Sequence, residues 1–131
     1  MKLLYILSII LPLTVAGCDP ENIDILTDYD INGQWNLTHV GGGIDGRDLN
    51  FEPGIIIWTF NENTGMVSID NNSGNGLSVF QSGTYSFLIE DIDSQRTLTI
   101  DGVLFDNFET SQDQIFISQQ YADGISMTLT K

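Results

Sequence analysis

The chain holds one histidine, His39, and one cysteine, Cys18, against 18 aspartates and glutamates. Those residue types and spacings restrict the chemistry open to it. Nucleophilic catalysis of the Ser-His-Asp kind needs a nucleophile next to a base and a third group that orients the base. His39 is the single imidazole available as that base, and no serine stands in a Gly-x-Ser-x-Gly turn. No glycine-rich stretch has the spacing of a phosphate loop. A zinc site needs more ligands than one histidine and one cysteine offer. Asp70, Asn72 and Gly74 in "DNNSGNG" begin like a calcium loop. A further oxygen ligand and the closing bidentate glutamate are missing, so these turn formers predict a turn. Glu90, Asp91 and Asp93 in "EDIDSQ" read as a solvated acidic loop. The residues predict a binding protein, not an enzyme, with no metal and no cofactor. His39 is left as a polar group able to meet a ligand.

Cys18 is explained by its neighbours. Lys2 supplies a positive start, and Leu3 to Leu13 form an apolar stretch of about ten residues, the size of a signal-peptide core. A bilayer span needs about 20. The order Val15-Ala16-Gly17-Cys18 resembles the lipobox of bacterial lipoprotein precursors. That resemblance implies cleavage before Cys18 and lipid on both its sulfur and its amino group. Two or more acyl chains make a stable membrane anchor where one is marginal. The implied address is the bacterial outer membrane, facing the periplasm or the cell surface. With no second cysteine there is no disulfide to form.

Residues 1–17 contain no acidic side chain and one basic one, Lys2. The remainder therefore keeps all 18 acidic residues against three basic ones, a net charge of about −15. Nucleic-acid binding depends on Lys and Arg neutralising phosphates, so that partner is excluded. Asp19, Glu21, Asp24, Asp28 and Asp30, with Pro20, make residues 18–31 read as an acidic tether.

The elements that must position any site begin after the tether. From Ile31 the sequence alternates with period two, broken by Gly, Asn and Asp, and no stretch holds a helical period over three turns. In "GQWNLTHV" the alternation places Trp35, Leu37 and His39 on one face and Asn36, Thr38 and Val40 on the other. "GGGIDGRDLNFEPG" reads as a long loop, too long for a hairpin. "IIIWTF" and "MVSID" flank "NENTG", where Gly65 suits the positive φ of a tight turn. "LSVFQ" adds a short strand. "GTYSFLI" aligns Tyr85, Phe87 and Ile89, and Asp101-Gly102 makes another turn. "QIFIS" and "ISMTLT" close the series. Eight or nine short strands in hairpin succession predict an all-β, antiparallel up-and-down barrel, which removes exposed edges.

"INGQWNL" resembles the Gly-x-Trp opening of lipocalin-like, or calycin, barrels, and "WTFNENTG", "SGTYSF", "LTIDG" and "ISMTLTK" are similar to small lipocalin-like domains of bacterial lipoproteins. The resemblance covers residues 32–131 and implies that Gly33 and Trp35 close one barrel end. Full lipocalins add a helix after the barrel and a basic residue that packs over the tryptophan; here Lys131 directly follows the last strand and Arg96 is the one arginine of the second half. Avidins share the opening but line their pocket with a set of tryptophans, and this chain has two, Trp35 and Trp58.

If Phe60 faces inward, so do Ile56 and Trp58, joining Trp35, Tyr85, Phe87, Leu98, Ile100, Ile115, Ile117, Met127 and Leu129. A barrel of eight strands either fills with side chains or holds one small ligand. The first outcome makes an interaction or structural module of the envelope. The second makes a carrier of a small apolar molecule, with Trp58, Phe60, Tyr85, Phe87 and His39 as its contacts. Ile55 and Ile57 then point outward, where a protein partner can use them.

Overall fold

The computed structural model describes residues 30–74 and 80–131. Cys18, the expected signal peptide and almost all of the expected tether lie outside the described residues, as do Leu77 to Val79 of "LSVFQ". The remainder of that expected strand, Phe80 and Gln81, is not extended in a sheet.

Alternation of apolar and polar residues produces ten strands: β1 (Gly33–Gly42), β2 (Arg47–Asn50), β3 (Ile56–Asn61), β4 (Met66–Asn71), β5 (Gly83–Ile92), β6 (Gln95–Ile100), β7 (Val103–Phe105), β8 (Asn107–Thr110), β9 (Gln114–Ser118) and β10 (Ile125–Thr130). All pairings are antiparallel. The order β7-β6-β5-β4-β3-β1-β10-β9-β8 is an up-and-down meander that returns on itself through β1 and β10, with β2 added to β1. Two breaks reduce the ten segments to eight staves. β2 and β3 pair with successive halves of β1, and β7 and β8 are one strand bent at Asp106, pairing first with β6 and then with β9. Gln119 Nε2 donates to the Leu104 carbonyl at 3.2 Å and Gln120 N to Asp106 Oδ1 at 2.8 Å, tying the bend to the β9–β10 connection. Among the described residues no helix is long and apolar enough to cross a membrane.

The predicted inward set forms the core, with Tyr85 and Phe87 half-buried at its margin. Ile31, which the sequence placed in the tether, also belongs to it, at 2% exposure. One expected face is wrong. Leu37 pairs with Leu129 but His39 with Thr128, so Thr38 is an extra residue in β1, a β-bulge. After the bulge the faces exchange: Val40 is fully buried opposite Met127, and His39 stands outside with Thr128.

The expected long loop at 41–54 is also corrected. Gly41 and Gly42 continue β1, and Arg47–Asn50 folds back on it as β2, so the connection is a short turn with Gly43 and Gly46 at positive φ. Glycine is demanded at Gly42, whose φ is +82° and whose backbone meets the Gly124 carbonyl where a Cβ would stand. Gly65 (φ +66°) and Asp101-Gly102 (φ +49° and +78°) make the tight turns expected of them. "EDIDSQ" is not a loop: Glu90 and Asp91 lie in β5, and Asp93 and Ser94, at φ +50° and +64°, form a two-residue hairpin turn.

Candidate functional site

The two tryptophans are cross-strand partners, Trp35 on β1 against Trp58 on β3, and each is 1% exposed. Their surroundings differ. Trp35 Nε1 donates to the Ile31 carbonyl at 2.7 Å, which folds the entering chain under the ring. Lys131 Nζ lies 4.9 Å from the ring centroid, a cation–π contact in the place where the sequence offered no arginine. Asn32 extends the seal: its Nδ2 donates to Glu62 Oε2 at 2.9 Å, and its Oδ1 accepts from Glu62 N at 2.7 Å. Asp30 accepts from both nitrogens of Asn32, and the backbone bond, followed by the side-chain bond, holds its carboxyl below the ordinary value of 3.8. Gly33, exposed and at φ +103°, turns the chain into β1. Gly33 and Trp35 thus stand where the entering chain and Lys131 meet the first strand.

Trp58 has no comparable partner. Its Nε1 is buried, and among the described residues it has no hydrogen-bond partner. Rings surround it instead: Phe60 at 6.1 Å between centroids, tilted, and Phe80 at 5.6 Å, edge-on. Phe60 meets Phe87 edge-on at 5.3 Å, while Phe80 touches Tyr85 at 5.5 Å and Phe105 at 6.4 Å. Strands hold all of these except Phe80, which reaches in from the β4–β5 connection. Asn71 anchors it: Nδ2 donates to the Phe80 carbonyl at 2.9 Å and Asn71 N to Ser82 Oγ at 2.8 Å. Tyr85 and Phe87 are the half-buried members of the cluster, so apolar ring surface reaches solvent along β5. The Tyr85 hydroxyl is itself occupied, donating to the Gln81 carbonyl at 2.7 Å.

The structure therefore brings four of the five expected ligand contacts together, Trp58, Phe60, Tyr85 and Phe87. It places the fifth elsewhere. His39 Nε2 bonds Asp48 Oδ1 at 2.8 Å on the outer surface, its side chain 35% exposed. Phe80 and Phe105 were missed as cluster members, and Asn71 as the anchor. Ile55 and Ile57 are half-buried, Ile55 packed on the core. Large exposed apolar side chains include Leu88 (54%) and Leu104 (48%), which flank Thr99 in one cross-strand row over β5, β6 and β7.

Among the described residues no three His, Cys, Asp or Glu side chains group as metal ligands. Asp91 bonds Arg96 Nε at 3.4 Å. A depression of about 200 Å³ lined by Glu109, Thr110, Ser111, Gln114 and Phe116 opens at the β8–β9 turn, away from the ring cluster. No protein-family model, no curated protein and no solved structure matches the chain.

Proposed function

We propose that the protein is a lipid-anchored, lipocalin-like barrel of the bacterial envelope that binds one small apolar molecule among the rings around Trp58. The observation that carries this reading is the buried, unbonded Trp58 Nε1 in an aromatic cluster that reaches solvent along β5. A buried donor without an acceptor costs about 1–3 kcal/mol, and such groups are rare in native proteins. A ligand that supplies the acceptor removes that cost, while the rings supply apolar contact, the usual make-up of a small-molecule site. Trp58 is the donor, and Phe60, Phe80, Tyr85 and Phe87 are the walls. The chain binds the molecule without transforming it.

The anchor is Cys18, acylated after removal of residues 1–17. Native mass spectrometry of the protein from its own host tests both parts. The acyl masses on Cys18 and a co-purifying small molecule are expected; an unmodified Cys18 refutes the anchor, and an empty protein across mild extractions refutes the carrier.

A second reading has its own observation. Large apolar side chains line the interior, and the Leu88–Thr99–Leu104 row leaves apolar surface outside. This favours an envelope interaction module, to which Ile55 and Ile57 add half-buried apolar surface. Cross-linking in cells separates the two: a partner captured by the wild type and lost in Leu88→Lys supports the module.

A further inference from the structure

We infer that the molecule bound beside Trp58 is uncharged and bears a hydrogen-bond acceptor without a donor, such as a ketone, an ester or an ether on an apolar frame. The inference rests on the binding reading and names the chemical class of its ligand. Three observations lead to it. The first is the donor itself: an indole N–H gives one hydrogen bond and accepts none, so it selects an acceptor.

The second is what the interior lacks. Among the described residues the sole buried polar side chain is Thr97, and it stands on the face of β6 opposite the inward Leu98 and Ile100, away from the rings. A ligand hydroxyl or amide would satisfy Trp58 through its oxygen but bring a donor as well, for which the buried part of the cluster offers no side-chain acceptor. Such an exchange of one orphan for another gains nothing.

The third is charge. A carboxylate would enter an apolar cluster with one neutral donor to receive it, where an ion needs a paired charge. The described cations are engaged elsewhere: Arg47 near Asp45 at 3.9 Å, Arg96 on Asp91 and Lys131 over Trp35. The chain as a whole carries a net charge of −14, which lowers the local concentration of anions.

Three planar probes of one frame test the inference on the full-length protein: naphthalene, 2-acetylnaphthalene and 2-naphthoate. The two tryptophans yield two indole signals in a ¹H–¹⁵N spectrum, and Trp35, bonded to Ile31, serves as an internal reference. 2-Acetylnaphthalene is expected to move the Trp58 indole proton downfield, leave that of Trp35 in place, and bind about tenfold tighter than naphthalene. 2-Naphthoate is expected to bind more weakly than the ketone. In Trp58→Phe the preference for the ketone over naphthalene disappears. Equal affinities with an unmoved Trp58 signal, or a preference for the carboxylate, overturn the inference and leave the binding reading standing. Failure of all three probes to bind either the wild type or Phe80→Ala overturns both.

Discussion

One substitution made at two neighbouring positions should have opposite consequences. Trp35 and Trp58 are cross-strand partners of equal burial, so replacing either by Phe removes the same atoms from the same layer of the barrel. The lost volume is roughly 40 Å³, which at about 24 cal/mol per Å³ of residual cavity costs about 1 kcal/mol in each case. The polar terms then diverge. Trp35→Phe breaks the 2.7 Å bond to Ile31 and leaves that carbonyl buried, adding about 1–3 kcal/mol, and weakens the contact with Lys131. Trp58→Phe deletes a donor that has no acceptor, which returns about 1–3 kcal/mol and offsets the cavity. The expected outcome is a loss of about 2–4 kcal/mol for Trp35→Phe against a change near zero, or a small gain, for Trp58→Phe. Urea unfolding at unchanged m-value measures both differences, and in thermal unfolding each kcal/mol moves Tm by about 4–8 °C for a domain of this size. Equal losses at the two positions would refute the reasoning, because they would mean that Trp58 Nε1 has a partner in solution.

The remaining expectations concern other parts of the barrel. Asp30 is held below its ordinary value by its bonds to Asn32, so its contribution is complete at higher pH and is lost as pH falls through the lowered folded value. Urea midpoints of wild type and Asp30→Asn should therefore differ by a constant amount above about pH 5 and converge under acid conditions; a pH-independent difference refutes the pairing. Gly42→Ala should cost more than about 2 kcal/mol, since an alanine takes positive φ unwillingly and its Cβ meets the Gly124 carbonyl. A wild-type Tm for that variant would show that the end of β1 does not approach the β9–β10 turn as described. His39→Ala should leave probe binding unchanged and cost less than about 1 kcal/mol, the scale of an exposed pair; a large drop in affinity would place His39 at the site after all.

The barrel was legible because its signal is repeated. Each strand alternates with period two, and each tight turn carries its own marker, as at Gly65 and Asp101-Gly102, so that one misread segment does not change the architecture. The errors fall where a single residue breaks the pattern. Thr38 adds one residue to β1, and parity counted from Trp35 then puts His39 inside and Val40 outside, the reverse of what the pairing with Thr128 and Met127 produces. Nothing in "WNLTHV" marks the bulge; it is fixed by β10, some 90 residues away. The glycines of "GGGIDG" concealed a hairpin for a related reason. They read as loop formers, whereas Gly42 and Gly124 are where two backbones approach too closely for a side chain.

The site was half legible on the same grounds. Trp58, Phe60, Tyr85 and Phe87 stand on strands, and inward parity alone brings them together. Phe80 does not: it enters from a connection, and its place against Trp58 depends on Asn71 bonding the Phe80 carbonyl across nine residues. The same limit applies to the difference between the tryptophans. Both occupy inward positions and would be scored alike by composition or periodicity, yet one donor is spent on the Ile31 carbonyl and the other has no partner among the described residues. Trp35 has its acceptor because Ile31 lies four residues before it and the chain must bend at Gly33 to enter β1. Trp58 lies within a hairpin whose backbone groups are already paired to β1 and β4, so no carbonyl of its own strand is free to turn toward the ring. A barrel that ties one tryptophan donor to its entering segment and leaves the other without a partner among the described residues has given two paired rings unequal surroundings, and the two Trp→Phe variants measure that difference directly.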